Sequence, residues 1–320
     1  MRTDKLKVGV VGVGYLGKFH AEKYAKMNSV TLVGVADINP QNAREVAEKT
    51  GCTPHATYED LLGKVDAVSI AVPTPFHFEV GRMFLENGAD ILLEKPMTST
   101  LAEADALIRL ANEKGRIIQV GLLERYNPAI VALKRIVNTP LYIETRRMSE
   151  YKVRGTDVSV ILDLMIHDID IVLKLAGASP ERIHGSGIRL ISPFVDFATA
   201  RIEFANGCVA NLTASRVSGT VERKIRLIQK DSYISVDFAN RKLTVTKKSG
   251  KSASGIPSEP DREIRCFEKE DALENELKAF VSAVIQRKTP EVSGQAGREA
   301  LRVALEISAK IAQASAASGA

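Results

Sequence analysis

The chain has 320 residues, 45% hydrophobic and 26% charged, which is enough for two globular domains of ordinary size. Its net charge of +5 is spread without a dense basic block and there is no tryptophan, so nucleic acid is not an expected partner, whereas an anionic small molecule suits this mild charge. No apolar run is long enough to span a membrane, strand character starts too early for a signal peptide, and the three scattered cysteines give neither a disulfide framework nor a metal knuckle; a cytoplasmic protein without a metal is expected.

Along the first third, short apolar runs alternate with helical patterns. "KVGVVGVG" is followed by "YLGKFHAEKYAKM", "VTLVGVAD" by "NAREVAEKTG", "DAVSIAVP" by "FEVGRMFLENG", and "DILLEKP" by "TLAEADALIRLANEKG" and "RIIQVGLL". Strands buried on both faces and separated by helices indicate an α/β fold with a doubly wound parallel sheet of Rossmann type over residues 1–123. The character changes after that. A helix, "NPAIVALKRIVN", leads to a strand, "LYIETRRMS", and then to one long helix over 158–177. Strands with hairpin signals fill 182–247, including Asn206-Gly207 between alternating runs, and "YISVDFANRKLTV" repeats the device. Residues 248–262 read as a surface loop, two helices close the chain, and "ASAASGA" reads as a frayed end. Residues 124–320 are therefore expected to form an α+β domain with a mostly antiparallel open sheet, its last helix free to pack back on the first domain.

Four stretches carry chemistry. In "GVGYLG", Gly12, Gly14 and Gly17 form G-x-G-x-x-G after a strand and at the start of a helix, and Asp37 closes the next strand twenty residues after Gly17. Gly12 permits the turn, Gly14 lets the backbone approach a pyrophosphate, and Gly17 lets the helix pack on the sheet. Tyr15 and Leu16 lie between them beside the cofactor. Asp37 would accept from ribose hydroxyls, and Ile38 and Asn39 supply no cation for a 2′-phosphate, so NAD is expected in preference to NADP. "AVPTPFH" brings Pro73, Thr74 and His77 to the carboxyl edge of the sheet, where such sheets bind ligands; His77 touches the cofactor or only opens a helix. "ILLEKPM" brings Glu94 and Lys95 to the same edge, with Pro96 halting the strand.

The fourth stretch is "VSVILDLMIHDIDIVLKLAG". Asp163, His167, Asp170 and Lys174 fall at i, i+4, i+7 and i+11, one narrow stripe on an α-helix that is otherwise apolar apart from Asp168. The stripe is either a thin solvated edge or the polar lining of a cleft. Asp170 caps or pairs locally, and Asp168 lies off the stripe.

The order of G-x-G-x-x-G, Asp37, "VPTPFH", Glu94-Lys95-Pro96 and Asp163-x-x-x-His167 resembles the Gfo/Idh/MocA family of glucose–fructose oxidoreductases and inositol dehydrogenases, over nearly the whole chain. The resemblance implies a dinucleotide-binding Rossmann domain, a second domain whose open sheet mediates a homodimer or homotetramer, and oxidation or reduction of a sugar or cyclitol hydroxyl. It places the family's catalytic lysine on Lys95 and its Asp and His on Asp163 and His167, in the cleft between domains. "GLLERYNPAI" further resembles the corresponding stretch of UDP-N-acetylglucosamine 3-dehydrogenase-like members, which suggests Asn127 at the nicotinamide or substrate and Arg125 at an anionic group. Arg146, Arg147, Lys152 and Arg154, ahead of the catalytic helix, either pair with a diphosphate or form a solvated strand face.

The expected reaction is hydride transfer between a secondary alcohol and nicotinamide. His167 is the base, Asp163 its orienting carboxylate, and Lys95 the donor that stabilises alkoxide charge. A nucleotide sugar such as UDP-N-acetylglucosamine is the expected substrate. The alternatives are a dehydrogenase of free sugar or inositol, an oxidoreductase that recycles tightly held cofactor between two sugars, and a dinucleotide-binding regulator without chemistry.

Overall fold

The computed structural model describes residues 5–151, 158–248 and 259–318. From the first of these, β1 (Leu6–Val11), α1 (Gly17–Ala25), β2 (Val30–Ala36), α2 (Pro40–Thr50) and β3 (Thr53–His55) follow in order. They continue into β4 (Ala67–Ile70), α3 (His77–Glu86), β5 (Asp90–Glu94), α4 (Leu101–Lys114) and β6 (Ile118–Gly121). The six strands form a parallel sheet in the order β3-β2-β1-β4-β5-β6. β4 and β5 are buried at every residue, as strands covered by helices on both faces must be. Local signals set the helix ends. Thr100 and Glu103 form a reciprocal capping box at the start of α4, and Gly115, in the left-handed region at φ 61°, closes it. The short strand β3 has no counterpart in the alternation of the sequence, because three partly exposed residues carry no apolar pattern.

From residue 127 come α5 (Pro128–Lys134), β7 (Pro140–Met148), a π turn (Ile161–Met165), α6 (Ile166–Ala176), β8 (Pro180–Ile188) and β9 (Phe197–Phe204). Then follow β10 (Val209–Ser215), β11 (Glu222–Gln229), β12 (Ser232–Asp237), β13 (Lys242–Lys247) and β14 (Asp261–Cys266). They form one eight-stranded sheet, β14-β13-β12-β11-β7-β10-β9-β8, antiparallel except where β7 runs parallel to β10. The β9–β10 hairpin turns at Asn206-Gly207 with Gly207 at φ 82°, where the sequence places it. At the β12–β13 turn the left-handed residue is Arg241 (φ 49°), and Asp237 steadies the turn by accepting from the Asn240 amide. The loop expected over 248–262 is shorter in the structure: Asp261 and Arg262 already belong to β14, and residues 249–258 lie outside the described residues.

The chain ends with α7 (Ala272–Gln286) and α8 (Gly294–Ser318), the latter running into the segment that reads as frayed. Two compact units result, one of residues 1–126 with 271–301, the other of residues 127–270 with 302–320. The first unit thus takes α7 as well as the start of the last helix. The reason lies in the apolar face of α7. Leu277, Phe280, Val281 and Val284, at i, i+3, i+4 and i+7, join Leu6, Val8, Val10 and Leu92 in one core. Within the second unit, α8 packs closely on β8: a Cβ at Gly185 would stand 3.0 Å from the Ile307 carbonyl oxygen.

Candidate active site

The glycine loop is built from two tight contacts and one open space. Gly12 has φ 81°, and a Cβ there would meet the Ala71 carbonyl at 2.8 Å; at Gly17 a Cβ would fall 1.9 Å from the Gly12 carbonyl oxygen. A Cβ at Gly14 would meet nothing within 4 Å, so the backbone there faces open space at the N-terminus of α1. Asp37 follows β2 with its carboxylate turned to this loop. One oxygen accepts from the Val13 amide at 2.8 Å and the other from the Asn39 amide at 2.8 Å. Ile38 beyond it is fully exposed. Tyr15 is exposed and stacks edge-on with Phe19 at 5.7 Å, and Leu16 occupies the N-cap position of α1 without a side-chain cap.

At the ends of β4 and β5, Pro73 is exposed and Thr74 opens a single 3-10 turn into α3. His77 turns its ring to main-chain carbonyls at this edge. It is buried, with Nδ1 3.0 Å from the Pro96 carbonyl oxygen and Nε2 2.9 Å from that of Val72. Burial lowers its pKa, so the ring is neutral and donates to one of the two. Its place is structural: it ties the end of β4 to the turn after Lys95. Lys95 itself is half-buried at the end of β5. The carboxylate of Glu94, expected at the cofactor, points instead into the protein, 3.1 Å from His20 Nε2.

Two expected substrate groups are likewise engaged elsewhere. Arg125 is buried with Nη1 3.3 Å from Glu291, and a guanidinium removed from water needs such a carboxylate. Asn127 is the N-cap of α5, its side-chain oxygen accepting from the Ala129 amide at 3.1 Å.

In the second unit, Asp163 lies in the π turn and His167 in the first turn of α6; both are half-buried. The Ile166 amide bonds to the Ile161 carbonyl, five residues back, so the α register on which the four-residue stripe rests is broken between Asp163 and His167. Such π bulges recur at functional sites. Asp168 and Asp170 are both buried rather than solvated. Asp168 receives a forked bond from Arg147, at 2.7 Å from Nη2 and 3.1 Å from Nε, which fastens α6 to β7. Arg147 is thus engaged by Asp168 within the second unit. Arg146 faces Glu222 at 3.6 Å, and Lys152 and Arg154 lie outside the described residues. The entry to the π turn is fixed by groups that carry no sequence motif. Arg216 donates to the Val158 carbonyl at 2.6 Å, and the Val160 amide to Val195.

Residues 6–122 match the oxidoreductase family with an NAD-binding Rossmann fold, Gfo/Idh/MocA, and residues 139–232 match the C-terminal domain of the same family. The chain is 40% identical over 303 residues to a UDP-N-acetylglucosamine 3-dehydrogenase of Acidithiobacillus ferrooxidans, covering 94% of this chain and 96% of the relative. The chain belongs to the Gfo/Idh/MocA family of oxidoreductases. Another relative in this family is a scyllo-inositol 2-dehydrogenase (NAD(+)) of Bacillus subtilis, 31% identical over 90% of this chain and 89% of its own. A solved structure of the Acidithiobacillus enzyme superposes with a TM-score of 0.89 at 38% identity, over 96% of this chain and 98% of that one. As a Gfo/Idh/MocA oxidoreductase the protein uses NAD, and its glycine loop fits that cofactor. The open space at Gly14 admits a pyrophosphate, and the fixed Asp37 carboxylate, followed by the uncharged Ile38 and Asn39, suits an unphosphorylated ribose.

Proposed function

We propose that this oxidoreductase acts on a nucleotide sugar, UDP-N-acetylglucosamine or a close analogue, at its 3-hydroxyl. The observation that carries this is 40% identity over 94% of the chain to an enzyme of that name. The bound NAD supplies a hydride acceptor at the nicotinamide; the remaining work falls to side chains. His167 takes the hydroxyl proton at an imidazole nitrogen, Asp163 holds the ring and stabilises its cationic form, and Lys95 donates to the substrate oxygen as alkoxide charge develops. The C–H electron pair leaves with the hydride, so loss of the O–H proton to His167 balances formation of the ketone. Lys95 keeps a half-buried side chain at the carboxyl edge of the sheet, and Asp163 and His167 are half-buried in an otherwise apolar helical segment, as such roles require. With Arg125 and Arg147 internally paired, Arg146, Lys152 and Arg154 remain as candidates for the substrate's phosphates. Its work would be done in the cytoplasm, a setting supported by three free cysteines, and as a homodimer or homotetramer.

The second reading is a scyllo- or myo-inositol dehydrogenase, favoured by the 31% identical Bacillus relative. A panel of UDP-N-acetyl sugars and free inositols, assayed by NADH formation, separates them. Turnover of inositols alone would establish the second reading. Lys95→Ala and His167→Ala are each expected to lower turnover by about 10²–10⁴ with NAD affinity unchanged. Near-normal turnover in either would end these assignments.

A further inference from the structure

Behind Lys95 lies a buried polar cluster that the nucleotide site does not use. His20 and Tyr24, four residues apart on α1, face Ser69 of β4, Glu94 of β5, Gln119 of β6, Tyr126 and Glu276 of α7, and all are buried. Two carboxylates in one apolar interior are unusual, because each buried charge needs its own compensation. Their surroundings differ. Glu94 has His20 Nε2 3.1 Å from one oxygen, and its other oxygen accepts from the Lys95 amide at 3.3 Å. Its carboxylate lies over Gly121, where a Cβ would stand 2.9 Å from Glu94 Cδ and displace it. Glu276 has no exposure, and neither of its carboxyl oxygens has a hydrogen-bond partner among the described residues. Gln119 reaches only its main-chain oxygen, at 3.2 Å.

We propose that Glu94 and Glu276 carry a single negative charge between them, Glu94 being the anion that positions Lys95 and Glu276 its permanently protonated partner. An ionised Glu276 would find no hydrogen-bond partner among the described residues, whereas Glu94 has an imidazole nitrogen 3.1 Å away and the Lys95 amide N–H. Burial first, and then the charge on Glu94, raise the pKa of Glu276 well above the carboxylate range. The other ionisable groups at the pair agree with this. The hydroxyls of Tyr24 and Tyr126 are raised above all by burial and stay neutral; Arg125 is committed to Glu291. Glu94 accepts from the Lys95 amide at one oxygen and holds the other 3.1 Å from His20 Nε2. An amide at this position offers one acceptor and forces a donor against the other. Glu94 is thus a positioning residue: it fixes the direction in which the chain leaves β5 and so the aim of Lys95.

The positioning half rests on the reading of Lys95 given above; the charge assignment does not. The test compares Glu276→Gln and Glu94→Gln in the full-length protein with NAD. Infrared spectra of the substrate-free protein at neutral pH are expected to show a protonated carboxyl stretch, lost in Glu276→Gln and kept in Glu94→Gln. Turnover in Glu276→Gln, which reproduces a neutral acid, is expected to stay within about twofold, while Glu94→Gln lowers kcat by about tenfold or more with NAD affinity within about threefold. Glu94→Asp, which keeps both acceptors, is expected to restore part of the loss. Absence of the carboxyl stretch from the unsubstituted protein overturns the charge assignment, even where a variant fails to fold. Equal losses in the two glutamine variants overturn it as well. Full turnover in Glu94→Gln overturns the positioning role, and full turnover in Lys95→Ala would instead remove the reading on which that role rests.

Discussion

Replacing Asp168 by Asn leaves the Arg147 guanidinium in a protein interior with its forked carboxylate gone. Both side chains are only 4% exposed, and contacts at 2.7 and 3.1 Å make the pair bidentate. Removing one partner of such a pair costs about 3–5 kcal/mol, since the desolvation of the survivor is no longer offset. With a urea slope of about 2–3 kcal/mol/M, the unfolding midpoint should fall by roughly 1–2 M. Arg147→Met is expected to lose a similar amount. The double variant Arg147→Met/Asp168→Leu, which removes both charges and keeps apolar volume, should recover most of it, giving a coupling energy above about 2 kcal/mol. Urea titrations followed by circular dichroism on the four proteins measure this directly. Single losses below about 1 kcal/mol, or simple additivity in the double variant, would refute the view that this pair fastens α6 to β7. Persistent loss of substrate affinity in a fully stable Arg147→Met protein would return Arg147 to the phosphate.

The glycine loop gives a contrast within one motif. Gly17→Ala should destabilise the first unit and abolish NAD binding, because its Cβ would fall 1.9 Å from the Gly12 oxygen, while Gly14→Ala, with nothing within 4 Å, should fold normally and lose only NAD affinity, as thermal unfolding with and without NAD will report. Equal melting temperatures for the two apo variants would contradict this. Asp196 supplies a pH dependence. Burial would raise its pKa, but the Ser192 hydroxyl and the amides of residues 190–192 bind the anion and hold it at about 2. The folded value lies below the unfolded value of about 3.9, so the stabilisation, on the order of 2 kcal/mol, is present above about pH 4 and lost as pH falls toward 2. Asp196→Asn should therefore lower stability at pH 7 and flatten the acid limb of the folding curve; an unchanged limb would show that the carboxylate is not so held.

The sequence by itself determined the order and type of most elements, because the signals involved are local. Runs such as Ile91–Leu93 announce strands covered on both faces, Thr100 with Glu103 opens a helix, and Asn206-Gly207 closes a hairpin. The glycine spacing with Asp37 was equally legible, since each glycine answers to a contact a few residues or one strand away. Only the tertiary structure decided where the charges point. Arg125 and Glu94 read from the sequence as groups reaching to ligand, and Arg147 and His77 as groups that either reach ligand or do not; each turns inward to a partner the chain brings from elsewhere: Glu291, His20, Asp168 and two main-chain carbonyls. Even the Asp163–His167 spacing depends on packing, which inserts a π turn that no residue pattern marks. A charge in a low-dielectric interior is tolerated only beside a compensating group, and which group lies there is fixed by contacts between segments far apart along the chain.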